Sequence, residues 1–232
     1  MSNHIGAILW KQIKDTIKNK TILIQFLMFP LITVVMENAV SIPGMPEHFF
    51  TNLFSVMYVG MAPLTSAAAI ISEEREKNTL RVMQMFNVKA AALLIGNAIY
   101  IISLCMLGSL VIGAAGGYRG RELLVFMLLM LLGHGCSFLL GAAIGALCRS
   151  QMAATSVTVP VMMVLSFLPM LSLFNETIRK LSKYLYSEQL YLMVNTVSEL
   201  RLTAENGIIM ACNILLITGA FLAVYWKIKQ DG

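Results

Sequence analysis

One short stretch, residues 71–88, holds the densest group of charged residues in the chain. Its charge cluster consists of Glu73, Glu74, Arg75, Glu76 and Lys77. An apolar run ends directly before these residues, and another begins at residue 90. A charged side chain at the centre of a bilayer costs about 2.5–3.5 kcal/mol on insertion scales. The cluster therefore predicts a loop in water between two membrane spans. Glu73 and Lys77 have the i,i+4 spacing of a helical ion pair, with the acid on the N-terminal side.

A second group of residues, around His134, could in principle carry nucleophilic chemistry. His134 and Ser137 are three residues apart on one predicted helix, but no acid is placed to orient the histidine, and no G-x-S-x-G surrounds the serine. The sequence also contains no H-E-x-x-H and no G-x-x-x-x-G-K-[ST] phosphate loop. We therefore predict no catalytic residue, metal site or cofactor in this chain. We interpret His134 as a neutral side chain bonded to a neighbouring helix, although an ionisable residue inside a span is also a functional candidate.

The elements that must position these residues are membrane spans. The chain has 232 residues, of which 58% are hydrophobic and only 12% are charged. Six apolar runs are long enough to cross a bilayer, and they cover residues 21–42, 53–71, 90–115, 123–147, 155–174 and 207–226. Gly141 and Gly145 form a G-x-x-x-G pair in the fourth run, which predicts close helix packing. The sequence therefore predicts an all-α membrane protein with six transmembrane helices.

The residues before the first span predict an amphipathic helix on the membrane surface. Within residues 1–20, apolar side chains such as Ile8 and Ile13 mark one face, and Lys11, Lys14 and Lys18 mark the other. Eleven of the 17 lysines and arginines fall on the side of the membrane that holds the N-terminus and the charge cluster. By the positive-inside rule, both termini and the charge cluster are predicted to be cytoplasmic.

The longest external segment, residues 175–206, mixes apolar residues with charges. It is too polar for a seventh span and too apolar for a free loop. We predict either a helical hairpin that dips partway into the outer leaflet or an ordinary interfacial loop.

The stretch Ser72-Glu73-Glu74-Arg75-Glu76-Lys77-Asn78-Thr79-Leu80 resembles the cytoplasmic signature of type-2 ATP-binding-cassette (ABC) export permeases. In that family the signature leads into a coupling helix that docks on a separate ATPase subunit. The resemblance implies a docking surface made of Glu73, Glu74, Arg75, Glu76, Thr79, Leu80, Met83 and Phe86. The sequence departs from the family pattern at Asn78, Arg81 and Asn87, and the reversed charge at Arg81 affects the docking contact most.

The resemblance also implies the function and the partners. Residues 21–232 would form a permease domain, with a coupling loop at 72–89, that exports an amphipathic drug, antimicrobial peptide or lipid-like molecule from a bacterial-type plasma membrane. Two ATPase subunits would bind ATP and Mg²⁺, and a second permease, identical or homologous, would complete the path. Membrane lipid is an expected partner and nucleic acid is not. The substrate path is predicted at Met57, Met61, Met163 and Phe167. An ATP-independent six-span carrier or scaffold is the alternative.

Overall fold

The computed structural model of the chain describes residues 6, 8–14, 20–40, 44, 46–77, 90–197 and 203–231. Every regular element in the described part of the chain is a helix. In chain order the helices are α1 (Lys20–Ala39), α2 (Phe49–Glu76), α3 (Ala90–Ala115), α4 (Gly120–Leu147), α5 (Gln151–Ser172), α6 (Glu176–Ser182), α7 (Tyr186–Asn195) and α8 (Ala204–Asp231). Residues 8–14 are also helical, and we refer to them as the N-terminal segment.

Six of these helices, α1 to α5 and α8, are long and apolar enough to cross a membrane. This finding confirms the prediction of an all-α membrane protein with six transmembrane helices. Large apolar side chains cover the outside of the bundle, as on Leu31 of α1 (60% exposed), Met152 of α5 (86%) and Leu215 of α8 (73%). Such a surface suits lipid tails as its surroundings. The cytoplasmic placement of both termini stays a prediction.

The second span continues further than the sequence predicted. The apolar run suggested a helix over residues 53–71 followed by a loop in water, but α2 extends from Phe49 to Glu76. The prediction that the charge cluster begins a loop was therefore wrong. Its acidic residues lie in the last turns of α2, and the backbone N–H of Lys77 still donates to the carbonyl oxygen of Glu73 at 2.9 Å. The helix can continue because several of these charges find partners within the chain.

Helix α2 is the central element of the bundle and its most buried span. It packs against α1, α3, α4, α5 and α7, so that Tyr58 and Leu64 are fully buried. Some of its buried polar side chains bond to nearby backbone, and others, such as Asn52, bond to distant segments. The Ser55 hydroxyl donates to the carbonyl oxygen of Asn52 at 2.9 Å, for example. This local bonding lets a helix with several polar residues occupy the interior.

Helices α2 and α4 approach each other closely where the predicted G-x-x-x-G pair lies. A Cβ placed on Gly141 would lie 2.2 Å from the backbone oxygen of Leu64, and one on Gly145 would lie 2.7 Å from that of Ala68. Neither position has space for a side chain. The glycines therefore let two backbones come into direct contact, as expected for small residues at membrane helix interfaces.

The segment between α5 and α8 folds into the two short helices α6 and α7. The side chain of Asn175 caps α6 by accepting hydrogen bonds from the N–H groups of Thr177 and Ile178. Helix α7 is largely buried, and its Tyr186 reaches Ser137 in the second half of α4. These two short helices correspond to the predicted helical hairpin. Their position relative to the outer leaflet stays a prediction.

The N-terminal segment packs against α3. Ile8 is buried and touches Gly96, where a Cβ would meet the isoleucine side chain at 2.8 Å. Trp10 is 61% exposed, and the Lys14 ammonium lies 5.1 Å from the centre of its ring. One side of this segment is therefore fixed to the bundle, while the other carries an aromatic and a cationic side chain, which suits an interfacial helix.

Candidate functional site

The carboxylate of Glu74 is the centre of a buried polar cluster. Glu74 is only 5% exposed, although it belongs to the most charged stretch of the chain. Gln12 Nε2 donates to Glu74 Oε1 at 3.3 Å, and Asn97 Nδ2 donates to Glu74 Oε2 at 3.2 Å. Gln12 Nε2 also donates to Asn97 Oδ1 at 2.9 Å, and the Lys11 ammonium lies 3.7 Å from Glu74 Oε1. This carboxylate therefore joins the N-terminal segment, α2 and α3.

Glu76 has a different partner, the first turn of α5. The backbone N–H of Gln151 donates to Glu76 Oε2 at 2.8 Å, and the N–H of Ala153 donates to the Ser150 hydroxyl oxygen at 3.2 Å. The free N–H groups at the start of a helix carry partial positive charge, which a carboxylate stabilises. Glu76 thus holds the end of α2 against the start of α5. Glu73 pairs with Lys77, at the i,i+4 spacing noted in the sequence.

The predicted docking surface is only partly within the described residues. Glu73, Arg75 and Glu76 are half-buried or exposed, whereas Glu74 faces inward and is occupied by its own chain. The remaining predicted docking residues, Thr79, Leu80, Met83 and Phe86, lie outside the described residues. The docking assignment as a whole stays a prediction.

A cavity of about 320 Å³ lies between α1, α2 and α5, at the same end of the bundle as Glu76. Its polar lining residues are Gln25, Thr65, Gln151, Thr155 and Thr158. Its apolar lining comes from Ile22, Met61, Ala68, Ala69, Val159 and Met162. We call this space the α1–α2–α5 cavity.

The predicted substrate path agrees with this cavity at one position of four. Met61 lines the cavity, but Met57 is buried in the bundle at 7% exposure. Met163 and Phe167 are 54% and 40% exposed on α5 and do not line the cavity. The resemblance placed the path on the second and fifth spans, but it does not tell a cavity wall from a lipid-facing side. The assignment of the path residues stays a prediction.

The polar residues of the cavity were missed, although their spacing was visible in the sequence. Gln151, Thr155 and Thr158 are separated by four and three residues, so they lie on one face of α5. Thr65 follows Met61 by four residues on α2. A polar stripe at helical spacing inside an apolar run is therefore the signal that could have identified this wall.

A second set of polar contacts crosses the middle of the bundle. The Ser109 hydroxyl of α3 lies 2.8 Å from His134 Nε2 of α4, and both residues are fully buried. Ser137 donates to the carbonyl oxygen of Val59 at 2.6 Å and lies 2.7 Å from the Tyr186 hydroxyl. In the described part of the chain no carboxylate bonds to His134. The geometry thus matches the interpretation of a histidine that links two helices.

The opposite end of the bundle holds further buried polar groups. The Tyr118 hydroxyl donates to Asn52 Oδ1 at 2.7 Å, and burial raises the pKa of Tyr118 to about 12. On α7, Glu188 is 2% exposed and accepts a hydrogen bond from the Ser172 hydroxyl at 2.9 Å. Burial raises the pKa of Glu188 above its ordinary value. The bond between Ser172 and Glu188 joins α5 to α7.

The family of the chain follows from a match that covers almost its whole length. Residues 3–226 match the family model described as ABC-2 family transporter protein. The chain therefore belongs to the ABC-2 transporter family, whose members are membrane subunits, and it is a multi-pass permease of that class. The comparison with curated proteins gave no match.

Proposed function

We propose that the chain is the membrane-embedded subunit of an ABC exporter that moves an amphipathic substrate out of a bacterial cell. Two copies of a separate ATPase subunit, which bind ATP and Mg²⁺, supply the energy. A second permease subunit, identical or homologous, completes the transport path in the plasma membrane. The substrate is a drug, an antimicrobial peptide or a lipid-like molecule, and lipid rather than nucleic acid surrounds the complex.

The observation that carries the proposal is the arrangement of carboxylates at the end of α2 in a chain of this family. Glu74 is bonded to α3 and to the N-terminal segment, and Glu76 is bonded to the first turn of α5. Both residues come shortly before residues 80–86, where the sequence predicts the coupling helix within the loop at 72–89. A displacement of that helix by an ATPase would therefore act on α3 and α5 through short polar contacts. This arrangement supports a role in coupling, which an ordinary surface loop would not need.

The proposal is tested by purifying the tagged chain from its host membrane in mild detergent and identifying the chains that accompany it. An ABC ATPase subunit is expected in the complex, and the mass of the complex should fit two permeases and two ATPases. Replacing Leu80, Met83 and Phe86 together with Asp should remove the ATPase while membrane abundance is retained. An unpaired carboxylate in an apolar contact costs several kcal/mol. This penalty is enough to remove most of the binding free energy of a modest interface.

The matched control is Lys77→Ala in the same segment. Its ion pair with Glu73 is exposed, so its loss is expected to cost only about 0.5 kcal/mol and to leave the ATPase bound. Retention of the ATPase by the triple Asp variant would refute the docking assignment. Transport by the purified chain without any ATPase would instead establish an ATP-independent carrier.

A further inference from the structure

We propose that a pocket between α2, α3, α4 and α8 binds one phospholipid of net negative charge, whose phosphate is held by Arg75. The residues on which the argument depends are Arg75, Leu93, Leu94, Ala146, Phe221 and Tyr225. We call this space the Arg75 pocket. It shares no lining residue with the α1–α2–α5 cavity, and the inference does not depend on the proposed export function.

The guanidinium group of Arg75 is a cation that the other contacts of the charge cluster leave unpaired. Arg75 is half-buried near the end of α2, and in the described part of the chain its side chain makes no ion pair and no hydrogen bond. Two of its acidic neighbours have other partners, since Glu73 pairs with Lys77 and Glu76 accepts from the N–H of Gln151. A guanidinium group is always charged, and one that is partly removed from water is stabilised by an anion.

The carboxylate of Glu74 also lines the pocket, but its oxygens are occupied elsewhere. Oε1 accepts from Gln12 and lies 3.7 Å from the Lys11 ammonium, and Oε2 accepts from Asn97. Lys11 thus balances the charge of Glu74, and the charge of Arg75 remains for a ligand. A phosphate that carries the only charge of its headgroup gains fully from this guanidinium group. In a zwitterionic headgroup the neighbouring ammonium group loses part of what the phosphate gains.

Tyr225 adds a hydrogen-bond donor and indicates the depth of the pocket in the membrane. Its ring centre lies 6.3 Å from that of Phe221, and its hydroxyl has no hydrogen-bond partner among the described residues. A phenol hydroxyl can donate to a phosphate or an ester oxygen. Trp10 and Trp226, at the same end of the bundle, are 61% and 65% exposed. Because exposed tryptophans concentrate at the level of the headgroups, the Arg75 pocket is expected to lie where lipid phosphates lie.

The rest of the pocket wall is apolar and suits the start of an acyl chain. The volume of about 120 Å³ corresponds to roughly four groups of the size of a water molecule, at about 30 Å³ each. A few methylene groups therefore fit between Leu93, Leu94 and Phe221, and the remainder of the chain lies outside, where Leu222 is 48% exposed. A free phosphate ion would leave this apolar wall uncovered. An anionic phospholipid satisfies both parts of the pocket.

The experiment measures how strongly the site prefers an anionic to a zwitterionic phospholipid. The purified chain carries Trp10→Phe, so that Trp226 is its remaining tryptophan, and is placed in phosphatidylcholine nanodiscs. The discs contain increasing fractions of phosphatidylglycerol or phosphatidylcholine with bromine atoms on the upper part of the acyl chains. Bromine quenches tryptophan fluorescence only at short range, and Trp226 directly follows Tyr225. Both leaflets have the same composition, so the result does not depend on the orientation of the chain.

Phosphatidylglycerol is expected to quench Trp226 with an apparent affinity about tenfold higher than that of phosphatidylcholine. Arg75→Gln should lower this preference to about twofold or less. Arg75→Lys keeps the charge but loses the planar pair of donors, and should lower the preference to about threefold. This second variant decides the result if Arg75→Gln does not fold. The matched control is Arg149→Gln, an exposed arginine at the same end of the bundle that does not line the pocket, and it should keep the preference within about twofold.

Equal quenching by the two lipids would overturn the proposal. An equal loss of preference in Arg75→Gln and Arg149→Gln would also overturn it, because surface charge alone would then explain the effect. Replacing chloride by inorganic phosphate at the same ionic strength should change the preference by less than about twofold. Removal of the preference by phosphate would show that the pocket takes a small anion, and would refute a lipid site. The measurement contains no ATP and no ATPase subunit, so its outcome is separate from that of the test of the export function.

Discussion

Replacing Gly141 by Ala tests the close contact between α2 and α4. The new Cβ would lie 2.2 Å from the backbone oxygen of Leu64 and 3.0 Å from the Cβ of Ala67, where ordinary contacts begin near 3.4 Å. Helices α2 and α4 would have to separate locally by about 1 Å, because neither atom belongs to a flexible side chain. Overpacking of this kind costs about 1–3 kcal/mol, and the better helix propensity of Ala returns about 0.5–1 kcal/mol.

Because the clash is with a backbone oxygen, the cost falls in the upper part of that range, about 2–3 kcal/mol. The expected net destabilisation is therefore about 1–2.5 kcal/mol, or a fall of roughly 2–10 °C in Tm for a chain of this size. Unfolding in detergent can be followed with a thiol-reactive fluorophore that labels Cys105 and Cys136 once they are exposed, since both are buried in the folded chain. The matched control is Gly135→Ala on the same helix, where a Cβ would meet nothing within 4 Å. If Gly141→Ala melted at the same temperature as Gly135→Ala and the unaltered chain, the close contact between α2 and α4 would be refuted.

Two further predictions concern the topology of the chain in the membrane and the pH dependence of its stability. Cysteines introduced at Lys77 and Lys183 should react with a membrane-impermeant thiol reagent from opposite sides of the membrane, and reaction of both from outside would contradict the six-span topology. Glu188→Gln should flatten the pH dependence of thermal stability. The pKa of Glu188 is raised in the folded chain, so the unaltered chain loses stability as the pH rises from the unfolded value of about 4.3 through the folded one. A variant whose Tm changed with pH as much as that of the unaltered chain between pH 4 and pH 8 would show that the Glu188 carboxyl is not the group responsible.

The number and approximate positions of the spans could be predicted from the sequence because the thickness of the bilayer sets the length of an apolar run. The end of α2 could not. Insertion costs treat each charge as isolated, whereas Glu74 lies among Gln12, Lys11 and Asn97, which come from two other segments. Partners that are distant in the sequence decided where this helix ends, and a local reading of charge cannot identify them.

Dependence on segments that are distant in the sequence also explains why part of the candidate site was missed. The G-x-x-x-G pair was found because both glycines belong to one short stretch of one helix, and the structure places them against the backbone of α2. The α1–α2–α5 cavity requires three helices to be placed side by side. Its walls combine Gln25 with Thr65 and with the polar stripe that begins at Gln151, so no single stretch of sequence contains the site.

The placement of the carboxylates also gives the charge cluster a different meaning from the one its sequence suggested. A surface that only bound a partner would need its charges to face outward, but Glu74 faces inward and Glu76 is bonded to the helix that forms one wall of the α1–α2–α5 cavity. If the ATPase docks on the following segment, as proposed, the acidic residues are better suited to transmit its movement than to bind it. Docking would then depend on the apolar residues after Lys77, and coupling would depend on the two carboxylates before it.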